Sequence, residues 1–140
     1  MIGLIRLERG GTTTEFAFLA PIFMMMIFLI LDGGRMLFNK QALNELATAA
    51  ARCAALKPAG CTTKAEVESW AATRGTQRSR LALTASMVTA TMSTTCNGQA
   101  SMAQVSISKP NAKSAMGLLP QGMVPATLTA TACFPVAPVT

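Results

Sequence analysis

The sequence has no histidine and no tyrosine, and aromatic residues make up only 5% of its 140 positions. Without histidine, the commonest general base near neutral pH is missing. No nucleophile–base pair stands out, so the residues give no support for an enzyme. The scarcity of aromatic rings also removes the platforms on which bases stack, and a nucleic-acid module is not expected. Acidic residues end at Glu68, while Arg74, Arg78, Arg80, Lys109 and Lys113 follow it. The plain account of that imbalance is a solvated basic face; a surface for anionic lipid or polysaccharide is the sharper one. Packing has to rely on Ala, Thr, Ser and Met rather than on large rings. A chain of this length has room for one small domain beside a membrane segment.

What is present is concentrated between Arg9 and Arg35. From Phe16 to Leu31 no residue is charged. At about 1.5 Å per residue this run makes roughly 24 Å of helix, which Thr12–Thr14 and Met36–Phe38 extend toward a ~30 Å hydrocarbon core. A chain this small cannot wrap a helix that is apolar on every face, which argues against a buried core helix. A cleaved secretory signal is the stronger competitor, but Asp32-Gly33-Gly34-Arg35 is not the small-x-small exit that signal peptidase requires. The segment therefore reads as a retained anchor lying in the lipid bilayer. Arg6 and Arg9 precede it, placing Met1 in the cytoplasm and the residues after Leu31 outside, although Arg35 and Lys40 weaken that bias. Pro21 inside the apolar helix removes a backbone hydrogen bond and is expected to kink the axis.

Glu15 stands at the mouth of this run, where a carboxylate is costly unless it is paired or stays at the interface near a helix N-terminus. It is the fifth residue counted from Gly11, and Gly10 and Gly11 follow a short basic leader. A leader, a glycine, a glutamate at that offset and an apolar helix together resemble the signal of type IV pilins and pseudopilins. The finer likeness, through Glu15-Phe16-Ala17, Pro21 and the Asp32, Gly34 and Arg35 exit, is to TadE-like pseudopilins of the tight-adherence (Flp) system. It covers about residues 6 to 56 well. The resemblance implies cleavage by a prepilin peptidase at the Gly10–Gly11 pair, with the Glu15 offset favouring the bond between them. It also implies that Glu15 pairs with the new N-terminal amine of a neighbouring subunit. Implied partners are that peptidase, other pilins and pseudopilins, and an inner-membrane pilus assembly platform. The implied work is a structural minor pilin that helps prime, cap or regulate the pilus, with the C-terminal domain periplasmic. The alternative is a signal-anchored envelope domain that binds a ligand or partner without entering a fibre.

Beyond the anchor, Met36, Leu43, Leu46, Ala50 and Cys53 recur at helical spacing, and Ala42, Ala47, Ala49, Ala51, Ala54 and Ala55 around them favour helix. One helix from about Thr12 to Leu56 is expected, soft at Gly33-Gly34 and ended by Lys57-Pro58-Ala59-Gly60. A second helix is expected from Lys64 to Arg74, with a Thr63-x-x-Glu66 capping box, Gly75 as its C-cap and Trp70 as a core plug. Strands are expected over 86–92, 103–107 and 127–132, with an Asn97-Gly98 turn between the first two and a loop from Pro110 to Pro125 before the third. The fold class is α+β, a long helix on a small antiparallel meander. The organisation is residues 1–10 leader, 11–35 transmembrane, 36–57 amphipathic extension and 58–140 periplasmic domain. Cys53, Cys61, Cys96 and Cys133 all follow the anchor, and an even number outside suggests two disulfides. Of three connectivities, Cys53–Cys61 would clamp the helix end to its turn and Cys96–Cys133 would tie two strands. Without histidine or a C-x-x-C pair a zinc site is disfavoured, and no metal or cofactor is expected.

Overall fold

The computed structural model describes residues 10–111 and 125–136, apart from the side chains of residues 10–12, 78 and 79. Arg6, Arg9, Lys113 and most of the expected 110–125 loop lie outside these residues. The elements are helix α1 (Gly10–Leu56), helix α2 (Lys64–Ser79), a single 3-10 turn (Ala85–Met87), and strands β1 (Val88–Cys96), β2 (Gln99–Pro110) and β3 (Thr127–Pro135). The architecture is α+β.

α1 is one unbroken helix of 47 residues that contains Pro21 and runs through Gly33 and Gly34 without interruption. Only its second half joins the domain. Leu43, Leu46, Ala47, Ala50, Ala51, Ala54 and Ala55 are buried, a stripe alternating steps of three and one. Alanine supplies most of that stripe, and its small side chain brings the helix backbone close to what it covers. The opposing layer comes from alternate strand positions, Val88 and Ala90, then Ala103, Val105 and Ile107, then Leu128 and Ala130. Side chains alternate across a strand, so these residues form one face of the sheet and the helices cover it.

The three strands are antiparallel in the order β1-β2-β3, a meander. Asn97 (φ 51°) and Gly98 (φ 81°) both adopt left-handed backbone, as a two-residue hairpin turn between β1 and β2 requires. β1 starts two residues later than expected, because Ser86 and Met87 belong to the 3-10 turn, and the strands otherwise run past their expected spans, with β1 reaching Cys96 and β2 starting at Gln99. Pairing continues there through register shifts between Thr91 and Thr94 and again before Cys96. Cys53 bonds Cys61 and Cys96 bonds Cys133. The first link ties the end of α1 to the turn that follows it, and the second joins the two outer strands.

α2 begins on the expected capping box. Thr63 Oγ1 accepts from Glu66 N–H at 3.3 Å, while the Glu66 carboxylate accepts from Thr63 N–H at 3.1 Å. Its end differs from expectation. The helix passes through Gly75 for another turn, and Arg80 (φ 49°) takes the left-handed capping position while Leu81 N–H donates to the Gly75 carbonyl at 3.2 Å. Gly75 is buried at a helix crossing instead, because a Cβ there would lie 2.5 Å from Leu83 Cδ1 and 2.9 Å from Leu46 Cδ2. Trp70 also departs from its expected role. It is half-buried at the margin of the core with the Arg74 guanidinium 5.1 Å from its ring centroid, and Val67 and Ala71 fill the interior.

Candidate assembly helix

The first half of α1 stands clear of the domain. Phe16 is 72% exposed and Phe18 78%, and Leu19, Ile22, Phe23, Met24, Met25, Met26, Ile30 and Leu31 are exposed with them. None of the most apolar stretch is buried in the protein, and the helix is long and apolar enough to cross a membrane. Burial against the core begins with Met36 and becomes complete at Leu43. From Thr13 to Leu31 the free helix measures about 28 Å at 1.5 Å per residue, close to the hydrocarbon thickness of a bilayer. In water, side chains this large and this exposed would not remain uncovered. The geometry suits a membrane anchor.

The sequence features of the apolar segment all lie on this one helix. Gly10 and Gly11 form its first turn, and Glu15 is exposed one turn further on. Positions four apart share a helix face, so a chain beginning at Gly11 would carry its amine about 6 Å along the axis from Glu15. Pro21 follows within the exposed part. Asp32 and Gly33 are half-buried, whereas Gly34 and Arg35 are exposed, at the passage from bare helix to packed helix. A Cβ at Gly33 or Gly34 would meet nothing within 4 Å, so neither glycine is required there for close approach. The four cysteines lie apart from these residues, inside the domain, where they form its two cross-links.

One residue with a structural role had no signal beyond being the last acid in the chain. Glu68 lies on α2, and its Oε1 accepts the Ala90 N–H of β1 at 3.2 Å and sits 3.7 Å from Lys64 Nζ. Sequence spacing gives no hint that a helix carboxylate reaches a strand amide 22 positions away.

The family model described as TadE-like protein matches residues 10–52. Over that stretch the chain resembles that family. The match starts at Gly10, spans Glu15, Pro21 and the Asp32–Arg35 exit, and stops just before Cys53, so it covers all but the last turn of α1 and leaves the sheet and α2 outside it. No curated protein and no solved structure matches the chain.

Proposed function

We propose that this protein is a structural minor pilin, or pseudopilin, that helps to prime, cap or regulate assembly of a tight-adherence (Flp) pilus. One observation carries the reading. The TadE-like match falls on a helix whose free, apolar half begins with the Gly10–Gly11 pair and Glu15. In this account a prepilin peptidase cuts between Gly10 and Gly11, and the new amine and Glu15 on adjacent subunits neutralise each other. Two opposite charges brought into a fibre interior or lipid are tolerated when paired, and one alone is strongly disfavoured. The helix is held in the inner membrane first, with the domain in the periplasm, and is later moved into contact with other pilin helices. The chain's work is positional, and no catalytic step is assigned to it.

Piliation of cells carrying a deletion or Glu15→Ala tests this reading. Loss of surface pili in the deletion, and loss of the protein from the sheared pilus fraction in Glu15→Ala, are expected. Normal pilus number and length in the deletion strain would instead leave an anchored envelope domain with no part in the fibre.

A further inference from the structure

The sheet has two edges, and among the described residues the outward amides at the start of β1 are capped while those of β3 are not. On β1, Val88 N–H donates to the Ala85 carbonyl of the 3-10 turn, and Ala90 N–H donates to Glu68 Oε1. The second bond also fixes the phase of the whole sheet. Because the Ala90 amide faces outward, Ala90–Val105 is a non-hydrogen-bonded pair, and Val105 directs its backbone groups to β3. Val105 pairs with Ala132, Ile107 with Ala130 and Lys109 with Leu128, so the even-numbered residues of β3 bond to β2. Two flanking bonds agree, Val136 N–H to the Ser101 carbonyl and Asn111 N–H to the Ala126 carbonyl, each 2.9 Å. The odd-numbered set therefore faces away from the sheet. It comprises Thr127, Thr129, Thr131, Cys133 and Pro135, and proline, with no N–H to lose, suits such an edge position.

Thr127, Thr129, Thr131 and Cys133 thus present four N–H groups in a row, and among the described residues none of them meets a hydrogen-bond partner. β3 carries no charge, no bulge against β2 and no proline before its last residue, which are the usual means of protecting an edge. We infer that the β3 edge is a docking site for an extended segment of another protein, which adds to the sheet as a fourth strand. The partner strand is uncharged along its length and acidic at the end that passes Lys109. No acid follows Glu68 in this chain, and Lys109 lies beside Leu128 at the start of β3.

A second copy is the less suitable occupant, an argument that rests on reading α1 as an anchor. Two identical edges paired antiparallel, the more stable arrangement per residue, are related by an axis normal to the sheet. That operation reverses every direction in the sheet layer. α1 lies face-on against β2 and β3, so the paired copies would point their anchors oppositely, whereas copies inserted alike in one bilayer point the same way.

The test uses the full chain in detergent micelles and a synthetic peptide of alternating Thr and Val with a Glu at each end. Amide hydrogen exchange is read residue by residue, so the outcome does not depend on whether the chain is processed or enters a pilus. In the free protein the amides of Thr127, Thr129, Thr131 and Cys133 are expected to exchange readily. Peptide is expected to slow those amides at least tenfold, and to do so less when its end Glu residues are replaced by Lys. The same peptide N-methylated at alternate positions should have no effect. Thr129→Pro removes one outward N–H and no ladder bond, and should fold yet lose the response. Slow exchange at the four amides of the free protein would overturn the inference, as would no slowing with peptide. A homodimer joined through β3 would overturn the choice of partner.

Discussion

Gly75 and Leu83 are in contact so close that a Cβ on Gly75 would lie 2.5 Å from Leu83 Cδ1. Leu46 Cδ2 would lie only 2.9 Å away on the other side, and both leucines are buried. Gly75→Ala gains up to about 1 kcal/mol of helix propensity but overfills a packed crossing, which typically costs about 1–3 kcal/mol. Net destabilisation is expected, read as a lower urea midpoint. Combining it with Leu83→Ala should recover part of the overpacking loss, and a simple sum of the two losses would place the clash elsewhere. Gly33→Ala, with open space around it, should leave the midpoint unchanged or raised.

Glu68 should matter far more to the domain than the ion pair it forms. Its side chain is 19% exposed and accepts a strand amide, whereas Lys64 is 60% exposed. Glu68→Ala strands the Ala90 N–H and is expected to lose roughly 1–2 kcal/mol. Lys64→Ala should change stability by less than about 0.5 kcal/mol. Equal losses in the two variants by chemical denaturation would show that the ion pair, rather than the amide, is what Glu68 provides.

The two disulfides close loops of different size, with sequence separations of 8 and 37. Loop entropy gives roughly 2.5 kcal/mol for the shorter and roughly 4 kcal/mol for the longer. Replacing Cys96 and Cys133 together by Ala should therefore lower the denaturation midpoint more than replacing Cys53 and Cys61. The reverse order would mean that the clamp at the end of α1 does more than restrict the unfolded chain.

Acid should loosen the start of α2. Thr62 Oγ1 donates to the Glu66 carboxylate at 2.6 Å, and the backbone N–H groups of Thr62 and Thr63 donate at 2.8 and 3.1 Å. The Thr62 hydroxyl first, and then these amides, hold the Glu66 carboxyl below its ordinary pKa. A folded-state pKa below the unfolded one gives stability that is present above the unfolded value and lost as pH falls through the folded value. Exchange of the first α2 amides should rise on that acidic limb, and Glu66→Gln should remove this pH dependence. An unchanged profile in Glu66→Gln would assign it to another group.

Much of this fold was legible because its signals are local. The apolar run, the alanine-rich stripe from Leu43 to Ala55, the Thr63–Glu66 box and the Asn97-Gly98 turn each act over a few residues, and each element formed where its signal lies. The cysteine pairing was favoured because Cys53 and Cys61 flank a helix stop. Gly75 was misread as a helix end because a glycine that ends a helix and one that lets two elements touch look alike until Leu83 and Leu46 are in place. Trp70 was misplaced because residue size alone does not say whether a ring reaches the centre of a core that alanine keeps thin. Which residues of β3 turn their N–H groups outward follows from the direction of the Ala90 amide, which is revealed by its bond to Glu68 on another element. For the apolar helix the residues themselves were legible, and the structure adds that the domain leaves Glu15 and the apolar run after it largely uncovered.

The mass of the mature N-terminal peptide, taken from cells with and without the prepilin peptidase, tests the central claim most directly. The expected chain begins at Gly11 when the peptidase is present and retains residues 1–10 when it is absent. A chain that still begins at Met1 in cells with active peptidase would contradict the account and leave α1 as a permanent anchor.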